Sequence, residues 1–506
     1  MSETENSSEV VSGVPASNDA DHYGRFSWPR LGFADFLVLF NGLYFFLATE
    51  LFYQTNLDRT SHDQEHNIVM ADRTLEREQA EPDPKAGITA SMWRKLPHLT
   101  DGVVNPLWPW IAARFLSEDH ETFFQRGKWF NIVLVAVFLN LLGLVCARVF
   151  SIPGAINLVL LGALGAFLTR AVHFQPESIY YILFFATWVC CLALMRHNEL
   201  WLYGLLGLFA GLAYLAKSSV QPLLLVFLGV TALRFVVEAV RRRRGKTPDS
   251  RWHPQNHFIG MAVLAMAFLM VTGPRLSFAN ERYGAPFHSY TSYWLWMDHF
   301  EDCYQFMADH GTKESLRNIT AENKPSLSTY AKTHTGDEAW ERMRDGVETI
   351  VLGMLYPKKT HQNKMRDREW KHLAPDRGEY LLYLLIVTGV MAGCLWWASR
   401  QADAKDLRAQ PWSGGWMLLF AVGAFVLYAM AYGFYAPIGK GDRFMLSLYL
   451  PLAVTFVWVA ERLRRQAMRV RHTRWAGWLY TAMHVVLTIV VLTRVVDLLR
   501  TPLFRG

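Results

Sequence analysis

Eleven apolar stretches, each of about 20 residues, restrict the folds that are open to this chain. They lie at 34–53, 129–150, 153–170, 178–195, 199–216, 218–237, 257–276, 379–398, 415–435, 444–461 and 475–496. A transmembrane α-helix needs about 20 mostly apolar residues to cross the hydrocarbon core of a bilayer. Hydrophobic residues make up 52% of the chain and are concentrated in these blocks. The sequence therefore predicts an all-α polytopic membrane protein with about 11 transmembrane helices.

Short basic loops predict how these helices are oriented. Arginine-rich runs follow the sixth stretch, at 241–246, and the tenth, at 462–474. Lys and Arg are enriched in cytoplasmic loops, so counting spans back from either run places the amino terminus in the cytoplasm. A third loop, with Arg400, Lys405 and Arg408, agrees with this count. We expect a plasma or inner membrane location, and no nucleic-acid partner, because the positive charge is concentrated in loops that orient helices.

This topology predicts four regions. Residues 1–33, polar at their start and without a signal-peptide core, form a disordered cytoplasmic tail. Residues 34–276 form a transmembrane catalytic module that includes a first extracytoplasmic loop, 54–128, with interfacial helices expected around 93–115. Residues 277–378 form a second extracytoplasmic loop domain, and 379–506 contribute the C-terminal transmembrane helices.

Ionisable residues at the edges of the spans are the first candidates for a binding site. Burying such a group in the membrane costs about 2.5–3.5 kcal/mol on insertion scales, so an ionisable residue in or beside a span points to a function. Five of them fall on the predicted outer side: Arg170, Glu177, Lys217, Lys440 and Arg443. Each cation alone is compatible with snorkelling to lipid headgroups. Together they predict a pocket for a lipid-linked phosphate, because Arg and Lys supply the charge and the donors that phosphate oxygens need.

A second group of polar residues, Ser61-His62-Asp63-Gln64-Glu65-His66, follows the first span directly. A positioned carboxylate can accept the proton of an attacking hydroxyl, so Asp63 is the first candidate for a general base and Glu65 is the second. The same residues are also compatible with a solvated loop. The spacing of His62 and His66 is not diagnostic of a metal site, so we predict no metal or other cofactor.

The order of these motifs resembles that of a known enzyme superfamily. The first-loop motif around Asp63 is followed by Gln175-Pro176-Glu177, by Gly211-Leu212-Ala213-Tyr214-Leu215-Ala216-Lys217, and by Asp442-Arg443-Phe444 before a proline-containing span. This series resembles the GT-C glycosyltransferases, in particular the dolichyl-phosphate-mannose protein mannosyltransferase and aminoarabinose transferase-like group. The chain departs from that group at Asn105-Pro106, where aminoarabinose transferases have Lys-Pro, and at Asp63-Gln64, where an Asp-Glu pair is common.

The resemblance implies an inverting membrane glycosyltransferase that moves a sugar from a polyprenyl-phosphate donor to an extracytoplasmic glycan, lipid or protein acceptor. Asp63 would be the base, Glu65 or Glu177 would position the acceptor or the sugar, and Lys217 and Arg443, with Arg170 and Lys440, would hold the donor phosphate.

Two alternatives remain from the residues alone. A transporter or flippase of lipid-linked substrates would line a pathway with the same ionisable residues, but transporters place these groups near the midplane of repeated, Gly- or Pro-broken spans. An oligosaccharide ligase or polymerase would share the membrane setting and the large outer loop, and would move a whole glycan instead of one sugar.

Overall fold

Each of the eleven predicted spans corresponds to a helix in the structure. The computed structural model describes residues 31–55, 64–80, 91, 95–115, 119–244, 254–355, 377–400, 414–439, 443 and 445–500. The helices of the first half are α1 (Leu31–Thr55), α2 (Gln64–Gln79), α3 (Leu107–Ala112), α4 (His120–Val149), α5 (Ile152–Ala171), α6 (Glu177–Leu194), α7 (Leu200–Ala216), α8 (Gln221–Arg243) and α9 (Pro254–Tyr283).

The second half begins with four short helices and ends with five long ones. They are α10 (Thr291–Trp294), α11 (Phe300–Asp309), α12 (Lys313–Arg317), α13 (Leu327–Thr333), α14 (Gly336–Leu355), α15 (Arg377–Ser399), α16 (Gly414–Tyr435), α17 (Tyr449–Ala467) and α18 (Ala476–Leu499). The described residues contain no strand. Ten helices among them are long and apolar enough to cross a membrane. The prediction of an all-α, multi-pass integral membrane protein is therefore confirmed.

Helix α7 is the shortest of the eleven apolar helices, with 17 residues, and it is held by close packing against α9. A Cβ atom at Gly207 would overlap the backbone carbonyl of Leu264, and one at Gly211 would lie 3.0 Å from the Cβ of Val271. Small residues let two membrane helices approach to backbone distance. The glycines of α7 therefore allow its close contact with α9.

The segments that were predicted to face outside lie together at one end of the bundle. The backbone N–H of Phe174, between α5 and α6, donates to the side chain of Gln64 on α2 over 2.7 Å. The N–H of Tyr290 donates to the carbonyl of Gly102 over 2.9 Å, which joins the two large loops. We call this end of the bundle the loop end.

The segments that were predicted to be cytoplasmic lie at the opposite end. A guanidinium nitrogen of Arg465 donates to the carbonyl of Val149 over 2.6 Å, and one of Arg234 donates to the carbonyl of Met195 over 2.6 Å. These contacts join the ends of α4, α6 and α17 and the C-terminal half of α8. The described loops thus alternate between the two ends of the bundle, as successive spanning helices require.

Arg275 fixes the start of the segment 284–355 to the end of α9. Its side chain is buried, and its two terminal nitrogens donate to the carbonyls of Pro286 and His288 over 2.9 and 2.7 Å. The segment that follows α9 is therefore held against the end of that helix.

Gly102 lies in the contact between the two large loops. It has a φ of +91°, which L side chains rarely adopt, and a Cβ there would meet the ring of Tyr290.

Candidate functional site

The turn that leads into α6 is held rigidly by contacts from three other segments. The side-chain amide of Asn131 donates to the carbonyls of His173 and Gln175 over 2.9 and 3.2 Å. The ring of Phe174 packs among buried aromatic rings, with centroid distances of 5.2 Å to both Trp108 and Phe123. Because the turn is fixed in this way, the first residue of α6, Glu177, has a defined position.

Glu177 forms a buried ion pair with Lys217. The Nζ atom of Lys217 donates to Oε1 of Glu177 over 2.7 Å. Only 2% of the Glu177 side chain is exposed, whereas 25% of the Lys217 side chain is. The lysine side chain is thus partly exposed, while the carboxylate is covered. The pair joins the start of α6 to the residue that follows α7.

Two arginines add positive charge around the same carboxylate. Arg443 and Arg170 both act on Glu177 electrostatically, together with Lys217. Three cations thus act on one carboxylate, and this group of four residues is called the cation cluster. Its excess of positive charge is what an anionic ligand such as a phosphate would balance, since guanidinium and ammonium groups bind phosphate oxygens with charge-assisted hydrogen bonds.

Tyrosines line the cation cluster. The hydroxyl of Tyr181 donates to the backbone carbonyl of Arg443 over 2.7 Å, although the two residues are 262 positions apart. Lys217 Nζ lies 6.0 Å from the centroid of the Tyr180 ring. The phenol groups of Tyr428 and Tyr432, on α16, are electrostatic neighbours of Tyr180. Such rings could contact a sugar or the apolar start of a lipid chain.

A second polar pair joins α2 to the segment around Asp101. The Nε2 atom of His66, on α2, is 2.5 Å from Oδ2 of Asp101. The other carboxylate oxygen of Asp101 accepts from the backbone N–H groups of Val103 and Val104, over 2.9 and 2.8 Å. Burial raises the pKa of this carboxyl, but the hydrogen bonds from His66 and the two backbone groups outweigh it and hold the pKa below its ordinary value.

The structure brings three of the predicted phosphate ligands, Lys217, Arg443 and Arg170, around the predicted Glu177. Glu65 is exposed on α2, whose buried face includes Gln64 and Asn67. Asp63, the predicted base, and Lys440 lie outside the described residues. Within the described part of the chain, no three His, Cys, Asp or Glu side chains are placed to share a metal ion.

Several residues of the site were not singled out from the sequence. Tyr180 and Tyr181 follow Glu177 by three and four positions, and this helical spacing places them on the same side of α6. That spacing was a usable signal. His66 was considered from the sequence only as a metal ligand. Its contact with Asp101 carried no signal, because the two residues are 35 positions apart and meet only through the fold.

Comparison with protein-family models and with curated proteins gives no match for this chain. The resemblance to GT-C glycosyltransferases therefore stays a prediction.

Proposed function

We propose that this chain is an integral-membrane glycosyltransferase, which moves a sugar from a polyprenyl-phosphate carrier to an acceptor outside the cytoplasm. The observation that carries this proposal is the cation cluster, in which Lys217, Arg443 and Arg170 surround the buried Glu177 at the loop end of the bundle. A lipid phosphate brings its own negative charge to the membrane surface, and the cluster offers three cations for it.

The proposed reaction needs one base and a site for the leaving phosphate. The base takes the proton of the acceptor hydroxyl, and the oxygen attacks the anomeric carbon from the face opposite the phosphate. The bond between this carbon and the phosphate oxygen breaks, and the phosphate leaves with the electron pair. Lys217 and Arg443 would stabilise the charge that develops on the leaving oxygen. Asp63 remains the proposed base, with Glu65 as the second choice.

Glu177 is better suited to positioning than to proton transfer. Its Oε1 is engaged by Lys217 and its side chain is 2% exposed, so an acceptor hydroxyl would have to displace the ammonium to reach that oxygen. We therefore assign to Glu177 the role of holding Lys217 toward the donor phosphate.

The position of the cation cluster favours a transferase over a transporter. Glu177 is the first residue of α6, Lys217 follows the last residue of α7, and Arg170 is next to the last residue of α5. Transporters bind their substrates near the bilayer midplane, between broken helices. Charges at the helix ends suit chemistry on a headgroup at the membrane surface.

The experiment is a transfer assay on membranes that contain the full chain, supplied with radiolabelled polyprenyl-phosphate sugars. We expect label to move from the lipid fraction to an acceptor, and Asp63→Asn to abolish the transfer. Asp58→Asn, a matched change in the same loop, should leave transfer unchanged. Transfer that survives Asp63→Asn but not Glu65→Gln would identify Glu65 as the base. Label that stays in the lipid fraction with every donor would refute the proposed function.

A further inference from the structure

Three tyrosines of α16 lie on one face of that helix and lead away from the cation cluster. Tyr428, Tyr432 and Tyr435 follow the spacing i, i+4, i+7, which one side of an α-helix presents. The ring centroids of Tyr428 and Tyr432 are 5.9 Å apart. Tyr432 and Tyr435 are both electrostatic neighbours of Arg443. The row of tyrosines therefore begins beside the cation cluster and continues to the end of α16.

Helix α11 continues this row of rings on the segment that follows α9. Tyr304 is an electrostatic neighbour of Tyr435. Its ring centroid lies 5.0 Å from that of Phe300, which precedes it by four residues on α11. Exposure increases along the series, since Tyr428 is fully buried whereas Tyr304 and Phe300 are 42% and 47% exposed. Together with Tyr432, these rings lead from the cluster to an open surface, and we call the five of them the aromatic track.

Carboxylates adjoin the exposed end of the aromatic track. Glu301, Asp302 and Asp309 of α11 are exposed, and this helix contains no Lys or Arg. Helices that lie on a membrane interface are rich in Lys and Arg on their polar face. The composition of α11 therefore argues against a role for Phe300 and Tyr304 as lipid anchors.

A saccharide is the ligand that suits both the rings and the carboxylates. The C–H faces of a sugar pack on aromatic rings, and its hydroxyls donate to carboxylates and to phenol oxygens. An extended peptide would gain affinity from a sheet edge, and the described helices offer none. Three carboxylates at the open end disfavour an anionic chain, since like charges repel.

We infer that the aromatic track binds a neutral oligosaccharide of several sugar units. The end of this chain reaches the cation cluster as the acceptor in the proposed transfer, on which this assignment of the acceptor class rests. The buried end of the track contacts the sugar that receives the new bond, and Tyr304 and Phe300 hold the units that precede it.

Saturation-transfer NMR on the purified full chain in detergent measures this binding without donor or turnover. The probes are maltohexaose, mannohexaose and chitohexaose, each compared with its disaccharide. We expect at least one hexasaccharide to receive saturation from the protein and to bind more tightly than its disaccharide, because the longer chain contacts more rings. Phe300→Ala and Tyr304→Ala should each weaken this binding about 3- to 10-fold through the loss of one ring contact.

Trp340→Ala is the control, because this side chain is 61% exposed on α14 and does not belong to the aromatic track. It should bind as the wild type does. Equal binding by the wild type and both track variants would overturn the inference, and so would a lack of saturation transfer to all three hexasaccharides. Binding of a Ser/Thr-rich peptide that both track variants weaken, with the saccharides silent, would overturn it in favour of a protein acceptor.

The same measurements separate the saccharide site from the proposed transfer. A hexasaccharide that binds through the track, while label stays in the lipid fraction with every donor, would support the site and refute the transferase. Label that moves to an acceptor at wild-type rate in both track variants would support the transferase and refute the site.

Discussion

Lys217 and Glu177 are 40 positions apart in sequence, and the structure places Nζ of the first 2.7 Å from Oε1 of the second. The carboxylate is almost fully buried and also faces Arg443 and Arg170. Removing one member of a buried ion pair leaves the other charge uncompensated, which costs more than the pair itself contributes. Variants of this pair should therefore change the free energy of unfolding as well as the proposed transfer activity, and the two can be measured separately.

Lys217→Gln should lower both the stability and the transfer activity. We expect a loss of about 1–3 kcal/mol in the free energy of unfolding, below the 3–5 kcal/mol of an isolated buried pair, because Arg443 and Arg170 still face the carboxylate. Transfer should fall by about 10- to 100-fold, since a hydrogen bond to a charged group contributes about 1.5–3 kcal/mol. Thermal unfolding in detergent and the labelled-donor assay measure the two quantities.

The double variant Glu177→Gln/Lys217→Gln tests the part that the two arginines play. It removes both charges of the pair and also takes the Glu177 charge away from Arg443 and Arg170, so the unfolding midpoint should stay at or below that of Lys217→Gln while transfer stays low. An unfolding midpoint that returns to the wild-type value would contradict the action of the two arginines on Glu177. Full transfer by the double variant would contradict the role given to Lys217.

Tyr181→Phe tests how Arg443 is positioned. The Tyr181 hydroxyl donates to the Arg443 carbonyl over 2.7 Å, so its removal frees the backbone at the start of the segment before α17. We expect KM for the lipid-phosphate donor to rise several-fold, with a smaller change in kcat, because the loss affects binding of the phosphate. Tyr383→Phe is the control, since the Tyr383 hydroxyl donates to Met483 on α18, away from the cluster. A fall in kcat alone would argue against this positioning role.

The segment after α9 should be sensitive to acid through His288. Burial, with Arg275 and Lys324 adding repulsion, lowers the pKa of His288 to about 4. An unfolded histidine has a pKa of about 6.5, so between pH 6.5 and 4 the unfolded chain binds a proton that the folded chain does not. Stability is therefore full above about pH 6.5 and falls as the pH drops toward 4, by on the order of 1–3 kcal/mol.

Limited proteolysis of the full chain at a series of pH values measures this loss in the segment 284–355. His288→Phe keeps the ring that stacks on Tyr283, with centroids 4.2 Å apart, and removes the titrating group. The variant should flatten the dependence between pH 6.5 and 4. A wild-type segment whose cleavage rate is constant over this range would refute the assignment.

The positions of the spans could be predicted because apolar blocks in the chain are interrupted by charged ones. The ends of the helices could not. Helix α4 begins at His120, nine residues before the predicted start of its span, and α9 runs to Tyr283, seven residues past the predicted end. Hydropathy reports only the apolar part of a helix, whereas its backbone hydrogen bonds continue through polar residues.

The site was predictable in outline for a related reason. Counting the predicted spans placed Arg170, Glu177, Lys217 and Arg443 on the same side of the membrane. The structure brings these four residues together. The bond from Tyr181 to Arg443 and the contact of His66 with Asp101 follow from tertiary packing over long sequence separations. No local pattern encodes contacts of this kind.

The attachment of α14 to α16 depends on two glycines that face each other. A Cβ atom at Gly346 would overlap the carbonyl oxygen of Gly433, and one at Gly433 would lie 2.7 Å from the backbone nitrogen of Val347. Gly346→Ala should therefore force the helices apart and cost about 1–3 kcal/mol, as overpacking does. Gly389→Ala on α15, where nothing lies within 4 Å of the added atom, is the matched control and should be neutral or slightly stabilising. Hydrogen exchange of α14 in detergent measures the difference, and equal protection in the two variants would show that the close contact is not required.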